Sequence, residues 1–128
     1  MFSHVMVGSN DIARSRQFYD ALFDVMGGKP AGQDANGRLI YLHDGAVFLV
    51  GNPIDGNAAT RANGGTIGFK TASQEQTDAW HAAGVANGGT PIEDPPGVRQ
   101  SPVGPLYLAY IRDPDGNKLC ALYRMPAG

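Results

Sequence analysis

The stretch FSHVMVGSNDIARSRQFYDALFDVMGG, residues 2–28, decides the fold of this chain. Residues 2–7 alternate between two faces, which predicts a β-strand. Asp11 is placed to cap a helix, and the apolar residues after it fall on one stripe: Ile12, Phe18, Tyr19, Leu22 and Phe23. Gly27 and Gly28 are expected to end that helix. The stretch therefore predicts a strand followed by an amphipathic helix that lies on a sheet.

Two further strands are predicted after this helix. Residues 38–43 and 46–50 are separated by Asp44-Gly45, which is a strong β-hairpin signal. Residues 52–65 are rich in Gly, Asn and Ala and are typical of a linker. The first part of the chain is thus predicted to run strand, helix, strand, strand.

The same order returns after the linker. Residues 66–70 are strand-like, and Ser73 with Gln76 three residues later forms a capping-box pattern. Trp80 supplies a large apolar anchor for the helix that follows, and Gly84 is expected to end it.

A second hairpin is predicted near the end of the chain. Residues 88–105 are rich in Pro and Gly and are expected to form a long loop at the rim of the sheet. Residues 106–111 and 118–123 read as strands, and the turn between them contains Asp115-Gly116.

The two halves align with each other. One fixed offset in residue number matches strand with strand and helix with helix: His4 with Thr66, Asp11 with Ser73, and Phe18 with Trp80. A second, larger offset matches the hairpins: Asp44 with Asp115, and Leu49 with Cys120. The repeat predicts an α+β fold in a single domain of residues 1–128, made of two βαβββ units at about residues 1–53 and 64–125.

Composition limits the classes of function. The 128 residues are 42% hydrophobic and 17% charged, which suits one globular domain. The net charge is −2 and the basic residues are scattered, so no electrostatic footprint for nucleic acid or a membrane is present. Cys120 is the single cysteine, residues 1–12 lack a signal-peptide pattern, and no apolar run approaches the roughly 20 residues of a membrane helix. We expect a cytoplasmic protein.

Three motifs carry a resemblance to a known family: FSHV at residues 2–5, DIARSRQFY at residues 11–19, and DPDGNK at residues 113–118. With them the chain resembles the vicinal oxygen chelate superfamily, also called the glyoxalase, bleomycin resistance protein and extradiol dioxygenase superfamily, in its lactoylglutathione-lyase-like branch. The resemblance implies that both units form a cupped mixed sheet, with helices on the convex side and a small molecule in the cup. It also implies a homodimer.

The resemblance further implies four metal-ligand positions, which fall on His4, Leu49, Thr66 and Cys120. A catalytic divalent ion needs about three donors from His, Asp, Glu or Cys and one open position. Leucine has no donor atom, and a threonine hydroxyl is a weak one. Only His4 and Cys120 remain as metal candidates, which makes a poor site.

We therefore expect a small-molecule-binding protein with a degenerate metal site, and we assign no catalytic residue. The residues expected to line the ligand site are His4, Leu49, Thr66, Arg99, Tyr107 and Cys120. Arg99 on the rim loop is as consistent with a solvated side chain as with an anion contact. Tyr41, Tyr107 and Tyr110 lie on predicted wall strands, and the sequence leaves open which of them face the cup.

Two alternatives stay open at this stage. One is a metal-dependent lyase, isomerase or dioxygenase, related to lactoylglutathione lyase, with a divalent ion held by an atypical His4/Cys120 site that a loop or second subunit completes. The other is a purely structural or partner-binding domain, in which the protein's own side chains fill the cup.

Overall fold

The structure is a computed structural model, and it describes residues 1–126. It has the following elements, in chain order: β1 (His4–Gly8), α1 (Ile12–Val25), β2 (Gly32–Gln33), β3 (Leu39–His43), β4 (Ala46–Gly51), β5 (Ile67–Lys70), α2 (Gln74–Ala86), β6 (Thr90–Pro91), β7 (Gly97–Ser101), β8 (Gly104–Arg112) and β9 (Lys118–Arg124). Neither helix is long and apolar enough to cross a membrane, within the residues described.

The strands form two mixed sheets, which confirms the α+β prediction. The first sheet has the order β1-β4-β3-β2, and the second has the order β5-β9-β8-β6 with β7 also paired to β8. Each sheet contains one parallel pair, β1 with β4 and β5 with β9, and its other pairs are antiparallel. In each unit the first strand is thus followed by a helix, and the last strand returns beside the first.

The internal repeat extends to the strand register. Met6 lies opposite Leu49 in the β1–β4 pair, and Gly68 lies opposite Cys120 in the β5–β9 pair. The two offsets that align the halves of the sequence carry the first pair onto the second. The two units therefore share one pairing scheme.

A buried pair of hydroxyl groups also recurs at the start of each helix. Ser9 Oγ lies 2.6 Å from Ser15 Oγ, and Thr71 Oγ1 lies 2.7 Å from Thr77 Oγ1. All four residues are buried, and the offset that aligns the two helices also relates the two pairs. Each pair satisfies polar atoms that would be costly to bury alone. It also links the end of a strand to the first turn of the helix.

The two units share one hydrophobic core. α1 packs against β3 and β4, α2 packs against β8 and β9, and the helices pack against each other. The Phe69 ring on β5 lies 5.8 Å from that of Phe23 on α1 and 5.4 Å from that of Phe48 on β4. Tyr19 and Trp80, one on each helix, are fully buried in this core. We call the side of the sheets away from the helices the open face.

The turn between β8 and β9 ties the second unit to the first. The Tyr19 hydroxyl on α1 donates to Asp113 Oδ2 at 2.5 Å, and Asn117 Nδ2 donates to the Gly8 carbonyl at 3.1 Å. Asp113 Oδ1 also accepts from the backbone N–H groups of Asp115 and Asn117. Burial raises the pKa of Asp113, although these hydrogen bonds act in the opposite direction.

Two details differ from the sequence prediction. Residues 88–105 are not a continuous loop, because β6 and β7 lie within them and β7 pairs with β8 over five residues. α2 continues past Gly84 to Ala86. A Cβ on Gly84 would lie 2.4 Å from Ile111 Cδ1, so this glycine permits close packing of α2 on the sheet and does not end the helix.

Candidate functional site

The four positions that the repeat aligns share the open face. His4 and Leu49 lie on the neighbouring strands β1 and β4. Thr66 directly precedes β5, which pairs with the strand that carries Cys120. Strand side chains alternate between faces, and the sequence neighbours of these residues pack in the core. All four side chains are therefore on the side away from the helices.

The first sheet presents a mostly apolar open face. Met6, Ile40, Leu42 and Leu49 occupy this side by register. Met6 is 42% exposed and Leu42 is 71% exposed. His4 is a polar residue at the end of this apolar face, and its Nδ1 lies 2.7 Å from Ser3 Oγ. Apolar side chains left in solvent mark a surface that can bind a ligand or a protein.

The Cys120 thiol is buried, and burial raises its pKa. The hydroxyl of Tyr110, which lies opposite Cys120 in the β8–β9 pair, lowers this pKa only in part. The Cys120 Sγ also donates to the Ala121 carbonyl at 3.5 Å. The thiol is therefore protonated at neutral pH, and it is a weak nucleophile and a weak metal ligand.

These residues do not fit the divalent ion that the family pattern implies. His4 is exposed and neutral Cys120 would first have to lose its proton, while Leu49 offers no donor and Thr66 only a hydroxyl. Within residues 1–126, no group of three His, Cys, Asp or Glu side chains comes together that could hold a metal ion.

Arg99 lies on β7, where it pairs with Leu106 and faces the open side of the second sheet. Its Nη2 donates to the carbonyls of Asp94 and Pro95, at 3.3 and 3.1 Å. These bonds hold the guanidinium to the strand edge and leave other N–H groups free to bind a ligand. Arg99 is thus on the same face as Cys120, and it lies on a strand where the sequence predicts a loop.

The tyrosines divide between the two faces. Tyr107 lies on the helix side and donates to Asp78 on α2 at 2.7 Å, so the structure sets it apart from the other predicted ligand-site residues. Tyr41 is also on the helix side, where it donates to Asp20 at 2.7 Å. Tyr110 pairs with Cys120 and is on the open face.

A cavity of about 270 Å³ lies between the two units, beside β1, β4 and β5. The rings of Phe23, Phe48 and Phe69 line it, and His43 and Lys70 are among its polar lining residues. Gly68 also lines it, and a Cβ on Gly68 would meet no heavy atom within 4 Å. The three phenylalanines lie on the helix side of the sheets, whereas Gly68 and Lys70 are on the open face by register. The cavity therefore lies mainly on the helix side and meets the open face at β5.

Sequence reasoning did not find this cavity. Its three phenylalanines come from α1, β4 and β5, and only tertiary packing brings them together. The sequence does carry a signal of the charge on the open face, although not of the cavity. Lys70, Lys118 and Arg124 alternate with core residues along their strands. That alternation indicates cationic side chains on the open face.

Comparisons with known proteins agree with the fold. The family model for the "Glyoxalase/Bleomycin resistance protein/Dioxygenase superfamily" matches residues 1–121. A crystal structure of a glyoxalase/bleomycin resistance protein from Albidiferax ferrireducens T118 is 55% identical in sequence and has a TM-score of 0.93. That match covers 97% of this chain and 99% of that chain. A search of the curated proteins gives no match.

More distant structures share the fold alone. A glyoxalase-related enzyme from Fulvimarina pelagi has a TM-score of 0.73 at 18% identity, over 97% of this chain and 88% of that one. A lactoylglutathione lyase from Agrobacterium tumefaciens has a TM-score of 0.65 at 21% identity, over 96% of this chain and 92% of that one.

Proposed function

Because the chain belongs to the glyoxalase/bleomycin resistance protein/dioxygenase superfamily, we propose that it binds a small molecule on its open face without a catalytic metal ion. The binding positions are His4, Leu49, Thr66 and Cys120, with Arg99 at the edge of the same face. The metal site is degenerate in this proposal. The buried, unpaired cysteine suits a reducing compartment, and we place the protein in the cytoplasm.

One observation carries the proposal: the positions that should hold a metal ion lack the donors for it, while there is open space on the strand beside Cys120. Leu49 replaces a donor with an apolar side chain, and burial keeps the Cys120 thiol protonated. A Cβ on Gly68, opposite Cys120, would enter open space. Concave apolar surfaces with a few polar groups are typical of small-molecule sites.

A metal-dependent lyase, isomerase or dioxygenase is the competing function. It needs at least one further strong donor beside His4 and Cys120, and residues 1–126 bring no third such group to them. It also needs a base to move a proton on carbon, and neither Leu49 nor Cys120 carries a carboxylate. The residues of the open face therefore favour binding over this chemistry.

We also propose that two copies form a homodimer. Several apolar side chains are exposed in the single chain, among them Phe2 at 76%, Leu42 at 71% and Ile54 at 106%. A second copy would bury such side chains and stabilise the pair by about 25 cal/mol for each Å² of apolar surface removed from water.

Calorimetric titration of the purified protein with Zn²⁺, Ni²⁺, Mn²⁺ and Fe²⁺ tests the metal part of the proposal. We expect no tight one-to-one binding by the wild-type protein. Tight one-to-one binding that His4→Ala abolishes would refute the proposal, because it would show a working metal centre on the open face.

Binding of the uncharged fluorescent probe N-phenylnaphthylamine tests the ligand part. We expect saturable binding that Gly68→Phe abolishes, because the new ring would fill the open space on β5. Ala82→Phe is the matched control, since it adds the same ring to an exposed position of α2. Equal binding by wild type, Gly68→Phe and Ala82→Phe would place the probe elsewhere and overturn the proposal.

A further inference from the structure

The open face of the second sheet carries an unusual share of the positive charge. Paired residues of a β-ladder point to the same side. By this register, five of the chain's ten Lys and Arg residues are on that one face: Lys70, Arg99, Arg112, Lys118 and Arg124. The strand residues between them on this face include no Asp or Glu.

Two of these five cations already interact with other groups of the protein. Lys118 forms an ion pair with Glu93 and lies 5.0 Å from the centre of the Tyr110 ring. Arg112 donates to the Gly116 carbonyl at 2.7 Å. Lys118 and Arg112 therefore already have partners within the protein, and they are less available to bind a ligand.

The other three cations have no acidic partner within 4.0 Å in the described part of the chain: Lys70, Arg99 and Arg124. Arg99 is oriented by backbone carbonyls, which do not neutralise its charge. Lys70 and Arg124 are exposed. A face with uncompensated cations attracts an anionic ligand and raises its local concentration.

Lys70 is the cation that joins this charge to an apolar site. It lines the cavity that also contains the rings of Phe23, Phe48 and Phe69. Asp44 is the acidic residue of the lining, and it belongs to the hairpin turn between β3 and β4. The cavity can therefore take an apolar body whose charged end reaches the Lys70 ammonium.

We propose that the ligand is an organic anion: a flat, largely aromatic molecule with a carboxylate, sulfonate or phosphate group. Its anionic group stays on the open face, where it binds Lys70 in the field of Arg99, and its apolar body enters the cavity between the units beside Gly68. This inference rests on the proposed small-molecule function and specifies the class of the ligand.

Two matched fluorescent probes test the inference. Anilinonaphthalene sulfonate and N-phenylnaphthylamine share one aromatic skeleton, but only the first carries a negative charge. We expect both to bind the wild-type protein, the sulfonate about tenfold more tightly in low salt. Raising the salt concentration to about 1 M shortens the screening length to about 3 Å and should remove most of that preference.

Variants then locate the charge that the sulfonate recognises. Lys70→Gln should weaken sulfonate binding about fivefold, near the upper end for an exposed ion pair, and leave binding of the uncharged probe unchanged. Lys29→Gln is the control, because it removes one exposed cation that lies outside the open face. Near-ultraviolet circular dichroism of each variant verifies that the fold is retained.

The possible results separate this inference from the proposed function. If both probes bind equally and Lys70→Gln affects neither, the anion inference is wrong while small-molecule binding stands. If neither probe binds the wild-type protein, the proposed function fails and the inference fails with it. If Lys29→Gln weakens the sulfonate as much as Lys70→Gln does, the attraction is only to net charge, and the assigned site is wrong.

Discussion

Tyr19→Phe should destabilise the protein by more than the loss of an ordinary hydrogen bond. Tyr19 is fully buried, and its hydroxyl donates to Asp113 at 2.5 Å. Asp113 is itself 3% exposed, so the variant leaves a buried carboxylate with one donor fewer. Hydrogen bonds to charged groups contribute about 1.5–3 kcal/mol, and we expect a loss of about 2 kcal/mol at neutral pH.

The loss should depend on pH in a defined direction. The folded-state pKa of Asp113 lies above its ordinary value of 3.8, mainly because of burial. The charged carboxylate therefore costs stability above that folded pKa, and the cost disappears as the pH falls below the unfolded value. Tyr19→Phe removes a bond that lowers this pKa, so its extra cost should be largest near pH 7 and about half as large near pH 3.5.

Urea denaturation of wild type and variant at the two pH values measures this effect. Tyr41→Phe is the matched control, because Tyr41 is also buried but donates to Asp20, which is partly exposed. We expect the control to cost about 1 kcal/mol at pH 7, because water can solvate the partly exposed Asp20 carboxylate once the bond is lost. Equal losses in the two variants, or a Tyr19→Phe loss independent of pH, would refute the assignment of Asp113 as a buried charge that Tyr19 stabilises.

Three further predictions concern packing, chemistry and assembly. Gly84→Ala should destabilise the protein by about 1–2 kcal/mol in urea denaturation, because the new Cβ would lie 2.4 Å from Ile111 Cδ1. The control Gly68→Ala, on the open face, should not change the free energy of unfolding. Equal effects of the two variants would contradict the close packing of α2. Cys120 should react slowly with a thiol reagent in the native protein and rapidly in urea, because burial raises its pKa; equally fast native reaction would show an accessible thiolate. Light scattering should give twice the 13.5 kDa chain mass, and a monomer at working concentration would count against the homodimer.

The sequence predicted the fold because its local signals agree with its long-range repeat. Asp11 and Ser73 cap the two helices as expected, accepting from the backbone N–H groups of Arg14 and Gln76. The aligned hairpins, with Asp44-Gly45 in the first, correspond to real strand pairs. Such signals depend on residues close in sequence, so one chain is enough to read them.

The candidate site was harder to predict from the sequence than the fold. Which face a side chain occupies, and where a cavity forms, depend on tertiary contacts. β8 reads GPLYLAYIR, with apolar residues on both sides, so it does not show that Tyr110 faces the open side while Tyr107 contacts α2. The sequence predicts a loop around Arg99 because the nearby Pro and Gly residues obscure the pairing of β7 with β8. The sequence alone does not show that Lys70 lines a cavity, because that cavity forms only in the folded chain.

The most direct test of the account is a crystal grown without chelators and with divalent ions and anilinonaphthalene sulfonate present. Anomalous scattering should reveal no fully coordinated ion near His4 and Cys120, and density for the organic anion should lie beside Lys70 and Gly68. An ion with a complete ligand set at His4 and Cys120 would contradict the claim that this protein binds its ligand without a metal centre.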